Sequence, residues 1–134
     1  MKIAIVDDQK KDREELTETL IPYLHTLDFE TELCEYESAE AFLADFEKDE
    51  FDICFMDIYL KGMDGMTAAR FIARKDPNCF IIFLTTSPDY MAEGYDVRAW
   101  RYIVKPLHKD AVRKILEPCI EQVVLSRRYL HVKS

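Results

Sequence analysis

The sequence predicts an α/β domain, a doubly wound parallel sheet with helices on both faces, and three observations carry that prediction. Short apolar segments alternate five times with helical stretches. The central two, Ile53-Cys54-Phe55-Met56 and Cys79-Phe80-Ile81-Ile82-Phe83-Leu84, are near-continuous apolar runs, the pattern of strands covered on both faces. Three segments then end in polar groups: Asp7-Asp8, Asp57 and Thr85-Thr86. In an open parallel sheet, ligands and chemistry collect at the carboxyl ends of the strands. These tips are therefore expected to converge on Asp57.

Residues 2–6 form the first strand, and a helix begins near Gln9 or Lys10. Leu16, Leu20, Leu24 and Leu27 give that helix one apolar face. Pro22 lies within it and lacks an amide, which predicts a kink or local opening. Residues 30–36 read as a strand, and Glu30, Glu32 and Glu35 place it at a sheet edge, where charge deters further pairing. Ser38 is the N-cap of a second helix that buries Ala39, Phe42, Leu43 and Phe46.

The strand ending at Asp57 follows, then the turn-rich Lys61-Gly62-Met63-Asp64-Gly65, then a helix carrying Met66, Ala69, Ile72 and Ala73. After the fourth strand, Thr86-Ser87-Pro88-Asp89 leads into a short helix over residues 90–94. Residues 100–104 form the fifth strand, ended by Lys105-Pro106. The last helix buries Val112, Ile115, Leu116, Cys119, Ile120 and Val123, with a bend expected at Pro118. Right-handed crossovers leave few topologies open. The strand order expected is 2-1-3-4-5, the flavodoxin-like (βα)5 arrangement, by analogy with known doubly wound sheets and not by periodicity.

The 134 residues fit one domain. A net charge of -8 makes the chain itself a poor partner for DNA and suits a basic patch on a protein partner. Cys34, Cys54, Cys79 and Cys119 show no metal or CxxC spacing, so they read as small buried hydrophobes of a reducing compartment. Met1-Lys2 leads straight into a strand, and no apolar run approaches a membrane span of about 18 residues. The expected location is cytoplasmic, without a membrane partner.

Asp7, Asp8 and Asp57 in one pocket would repel one another and call for a cation. A hard divalent ion with oxygen ligands fits, Mg²⁺ in particular, with Asp8, Asp57 and the backbone carbonyl of Tyr59 as ligands. Asp57 could then act as a nucleophile towards phosphorus. Lys105 supplies a second positive group and Thr85 a hydroxyl for a phosphoryl oxygen. Taken singly, each has a plainer reading. An Asp pair after a strand can cap a helix, a lysine is usually solvated, and Tyr102 is usually core. Four strands contributing to one constellation outweigh those readings. His25, His108 and His131 lack partner spacing and read as structural or exposed.

Ile5-Val6-Asp7-Asp8, Phe55-Met56-Asp57, Gly62-Met63-Asp64-Gly65, Leu84-Thr85 and Tyr102-Ile103-Val104-Lys105-Pro106 resemble, in order and spacing, the receiver domain of two-component response regulators. The resemblance covers residues 1–125. It implies a signalling switch and not a classical enzyme. Asp57 is then the phosphoacceptor for a phosphohistidine on a sensor histidine kinase. Asp7 and Asp8 hold Mg²⁺ (Asp7 largely through water), Lys105 pairs with the phosphoryl group, Thr85 is the switch hydroxyl and Tyr102 the aromatic that follows it. The Lys105-Pro106 bond is expected to be cis. Residues 85–90 and 94–99 are similar to receivers of the LytTR class, although Trp100 and Arg101 depart from its usual pattern.

Residues 126–134 then read as a linker and the start of a C-terminal LytTR-type DNA-binding domain. DNA would be bound only through that domain, with homodimerisation on activation. Two rival readings are a phosphate-independent binding module and an aspartyl-nucleophile phosphatase. The full set of Asp7, Asp8, Asp57, Thr85 and Lys105 disfavours the first. Tyr59, where such a phosphatase places its acid, disfavours the second.

Overall fold

The structure is a computed structural model, and it describes residues 1–86 and 101–127. The expected helix at 90–94, Trp100, the LytTR-like stretch from residue 87 onward and the tail after Arg127 lie outside the described residues. The elements are β1 (Lys2–Val6), α1 (Lys10–Leu24), β2 (Glu32–Tyr36), α2 (Ala39–Asp45), β3 (Ile53–Asp57), α3 (Gly65–Lys75), β4 (Phe80–Thr85), β5 (Arg101–Val104) and α4 (Lys109–Arg127). All strand pairs are parallel, in the order β2-β1-β3-β4-β5. Fold class and strand order are those expected.

Side chains along a strand alternate between faces, and this alternation divides the core in two. Ile3, Ile5, Ile53, Phe55, Ile82, Leu84 and Ile103 pack with α1 and α4. Ala4, Val6, Cys54, Met56, Ile81 and Phe83 pack with α2 and α3. β3 is buried throughout, as its apolar run predicts, whereas β2 is the edge and exposes Glu32 and Glu35. Phe42, Phe46 and Phe51 form one fully buried aromatic group, with ring centroids 5.1 to 6.0 Å apart. Deleting a ring of this kind typically costs about 3–5 kcal/mol.

Several boundaries shift from the sequence reading. The second strand begins at Glu32, and Phe46 caps α2 in extended backbone without belonging to its helical turns. Leu43 and Ala73 are only half-buried. Ser38 caps α2 as expected, its Oγ accepting from the Ala41 amide at 3.1 Å. Neither Pro22 nor Pro118 ends its helix. Pro22 falls in the last turn of α1, where few residues remain to be disturbed. Cys54, Cys79 and Cys119 are buried and Cys34 half-buried, all as free thiols. Among the described residues, no helix is long and apolar enough to cross a membrane.

Candidate functional site

Strand register places the site. Val6 pairs with Met56, so Asp7 and Asp57 leave β1 and β3 side by side. Asp57 itself pairs with Leu84, and Thr85 with Val104. β3 runs one residue past β1 and β4 one past β3, β5 ends level with β4, and Lys105 just beyond it arrives over the carboxylates. Asp7, Asp57 and Lys105 also share the alternation of Ile5, Phe55 and Ile103, so all three continue the same face of the sheet.

The ammonium of Lys105 completes the group. Its Nζ donates to Asp12 Oδ2 at 2.9 Å, Asp7 Oδ2 at 3.0 Å and Asp57 Oδ2 at 3.2 Å. Asp7 is fully buried and Asp57 is 5% exposed. Asp8, on the rim, accepts from the Lys61 amide at 3.2 Å. The Asp-Asp pair does not cap the helix: Gln9 is the N-cap, and its amide donates to Asp7 Oδ1 at 2.9 Å.

Burial pushes the Asp57 carboxyl up to about 6; the Lys105 charge pulls against it, while Asp7 adds to the rise. For Lys105, burial acts to lower the pKa, but hydrogen bonds to Asp12 and Asp7 and the nearby Asp57 charge outweigh it and leave it raised. Asp7, Asp8 and Asp57 each bring a carboxylate oxygen within 4.8 Å of the others. Hard oxygens, like charges and an adjacent open cleft make this donor set fit a small divalent cation. Tyr59 lines the cleft, half-exposed, and its amide donates to Asp57 Oδ1 at 3.0 Å.

The loop after β3 is held by its own turn residues and by Glu40, which the sequence reading did not single out. Glu40 on α2 accepts from the Met63 amide at 3.1 Å and lies against Gly62, whose φ of +75° suits glycine. Asp64 caps α3 by accepting from the Thr67 amide at 2.7 Å. A Cβ on Gly65 would collide with the Asp57 carbonyl oxygen, so only glycine lets α3 start this close to the strand tip. On the other side, Arg13 donates to the Asp7 carbonyl at 2.7 Å and to Glu35 Oε1 at 3.2 Å.

Two expected residues stand apart from the carboxylates. Thr85 is buried and its backbone carbonyl accepts the Lys105 amide at 2.8 Å. By alternation its side chain follows Phe83 onto the α2–α3 face, not the face of Asp57. Tyr102 is on that same face, half-buried, its ring 5.3 Å from Phe83. The Lys105-Pro106 peptide is cis.

With this geometry in view, the comparison with known proteins is decisive. The chain matches the response regulator receiver domain over residues 3–117. It belongs to that family. The receiver is similar to the sensory transduction protein LytR of Staphylococcus epidermidis, 32% identical over 115 residues, which cover 85% of this chain and 44% of that protein. It is also similar to the transcriptional regulatory protein RprY of Bacteroides fragilis, 30% identical over 84% of this chain and 48% of that protein. The receiver thus spans about half the length of the curated relatives it matches. Among solved structures it resembles the response regulator TrrA of Thermotoga maritima in complex with Mg²⁺-BeF, with a TM-score of 0.74 and 26% identity over 88% of this chain and 97% of that one. DrrB of Thermotoga maritima shares the fold with a TM-score of 0.77 at 24% identity, over 90% of this chain and 52% of that one.

Proposed function

We propose that this receiver is a phosphorylation switch in which Asp57 accepts a phosphoryl group from the phosphohistidine of a sensor histidine kinase. One observation carries the reading: a buried carboxylate at a strand tip, 3.2 Å from an ammonium and beside a carboxylate that it cannot comfortably face without a cation. The transfer forms a bond between an Asp57 oxygen and phosphorus and breaks the bond from phosphorus to the donor imidazole nitrogen. That nitrogen keeps the electron pair. Phosphoryl transfer needs mainly in-line positioning and neutralised charge. The Tyr59 amide and Lys105 hold the two Asp57 oxygens in place.

Asp7, Asp8, Asp57 and the Tyr59 carbonyl would hold Mg²⁺, which neutralises charge on the transferring group. The Mg²⁺-BeF complex of TrrA supports the same ligand class here. Lys105 then donates to a phosphoryl oxygen and Thr85 turns toward it, with Tyr102 following. Homodimerisation would read out the changed surface. Residues 1–125 make up the switch, and residues 126–134 begin a C-terminal effector domain. The length of the LytR and RprY relatives supports a second domain, and the name of RprY, a transcriptional regulatory protein, supports transcription regulation as its task. DNA would be touched only there. A cytoplasmic location agrees with the described helices, none of which could span a membrane.

The test is a titration with beryllofluoride and Mg²⁺, followed by calorimetry and by sedimentation. The wild type should bind and shift toward dimer, and Asp57→Asn should do neither. A wild type that binds no better than Asp57→Asn would reject the reading.

A further inference from the structure

An ammonium carries three N–H donors. All three of Lys105 have carboxylate partners, and the shortest contact, 2.9 Å, goes to Asp12. Asp12 is not one of the three carboxylates that crowd together at the strand tips. It stands on α1, one helical turn past Asp8, with its side chain 34% exposed against 1% for Asp7 and 8% for Asp57. Beside it, between α1 and the turn after β5, lies a cavity of about 350 Å³ lined by Lys11, Glu15, Pro106 and Leu107 among others.

A phosphoryl group on Asp57 brings new negative charge and needs a donor from Lys105. With every donor engaged, one carboxylate must let go. Asp57 becomes a neutral acyl group when it takes the phosphoryl group, and Asp7 would face Mg²⁺, so both acids change partners in the reaction itself. Asp12 borders open space, where water can take over its bond. We propose that Asp12 is a positioning residue that draws Lys105 back in the unphosphorylated receiver and competes with the phosphoryl group for one of its hydrogens. This rests on Asp57 being the phosphoacceptor. It makes Asp12 a brake, setting how readily the domain enters the phosphorylated state.

The experiment measures beryllofluoride affinity at saturating Mg²⁺, and Mg²⁺ affinity alone, in the wild type, Asp12→Asn, Asp12→Glu and Glu15→Gln. Glu15 lines the same cavity one turn on, so Glu15→Gln removes an equal charge that Lys105 does not contact among the described hydrogen bonds. Asp12→Asn should bind beryllofluoride about 5–10-fold more tightly, less than a fully buried charge-assisted hydrogen bond would give because Asp12 is partly solvated. Its Mg²⁺ affinity should fall by no more than about threefold, as expected for a more distant charge. Asp12→Glu should return to within about twofold of wild type, and Glu15→Gln should stay there.

Equal beryllofluoride affinity in Asp12→Asn and the wild type would overturn the brake. So would an equal gain in Glu15→Gln, which would assign the effect to net charge, or a gain shared by Asp12→Glu, which would assign it to disturbed packing. If the wild type itself binds no beryllofluoride, the phosphoacceptor reading fails first, and the two failures are told apart.

Discussion

Buried carboxylates occur at both ends of this sheet, and they are treated in opposite ways. At the amino ends, Asp52 takes the Lys2 amide at 2.9 Å. Asp76 takes the Asp49 amide at 2.9 Å and the Asn78 amide at 3.0 Å. Each closes a loop with backbone donors that stay fixed once the chain folds. At the carboxyl ends, Asp7 and Asp57 share one lysine and press on each other. Burial of an acid therefore does not mark function. What sets the carboxyl end apart is an ammonium shared between two buried acids.

The comparison can be broken most sharply at Asp57. Asp57→Asn should abolish phosphate uptake from acetyl phosphate, read by mass spectrometry, because the amide is no nucleophile toward phosphorus. Uptake in that variant would move the acceptor elsewhere. Next in size is Asp76→Ala, which strands two amides and should cost on the order of 1–3 kcal/mol in urea unfolding. Its phosphate uptake per folded molecule should match wild type; a large loss there would erase the distinction between the two ends.

Tyr59→Asn should hasten decay of the phosphorylated form severalfold, since the half-exposed ring stands at the mouth of the cleft and limits water. An unchanged decay rate would show that the ring does not shield the acyl phosphate. The smallest effect concerns pH in metal-free protein. The Asp57 pKa is raised in the fold to about 6, so the folded state holds this proton more tightly than the unfolded chain does. That stabilisation is present at low pH and is lost as pH rises toward and through about 6. In chelator, Asp57→Asn should be the more stable by on the order of 1 kcal/mol at pH 7, and the gap should close by about pH 4. A gap that does not change with pH would mean that Asp57 is not strained by its neighbours.

Much of this was legible in the chain itself. The runs in β3 and β4 announce a sheet covered on both faces. Counting by two from Ile5, Phe55 and Ile103 puts Asp7, Asp57 and Lys105 on one face. The same count sends Thr85 to the other, a step the tip-by-tip reading passed over. Asp12 also had a signal, its place four residues past Asp8 on a helix that starts at once, but an acid on a helix surface is too common to stand out. Glu40 and Asp76 had none. Their roles depend on backbone atoms brought close by crossovers, and no periodicity records that.

The strands form a partition. Phe83 and Tyr102 pack on one side, and by strand alternation Thr85 goes with them, while the acids and lysine continue the other. Leu84 and Thr85 are consecutive, yet they look into different rooms. Among the described residues, the end of β4 is where the two sides meet beside Lys105. The Thr85 carbonyl, tied there to the amide of Lys105, therefore joins the lysine's backbone to the residue that borders the aromatic side.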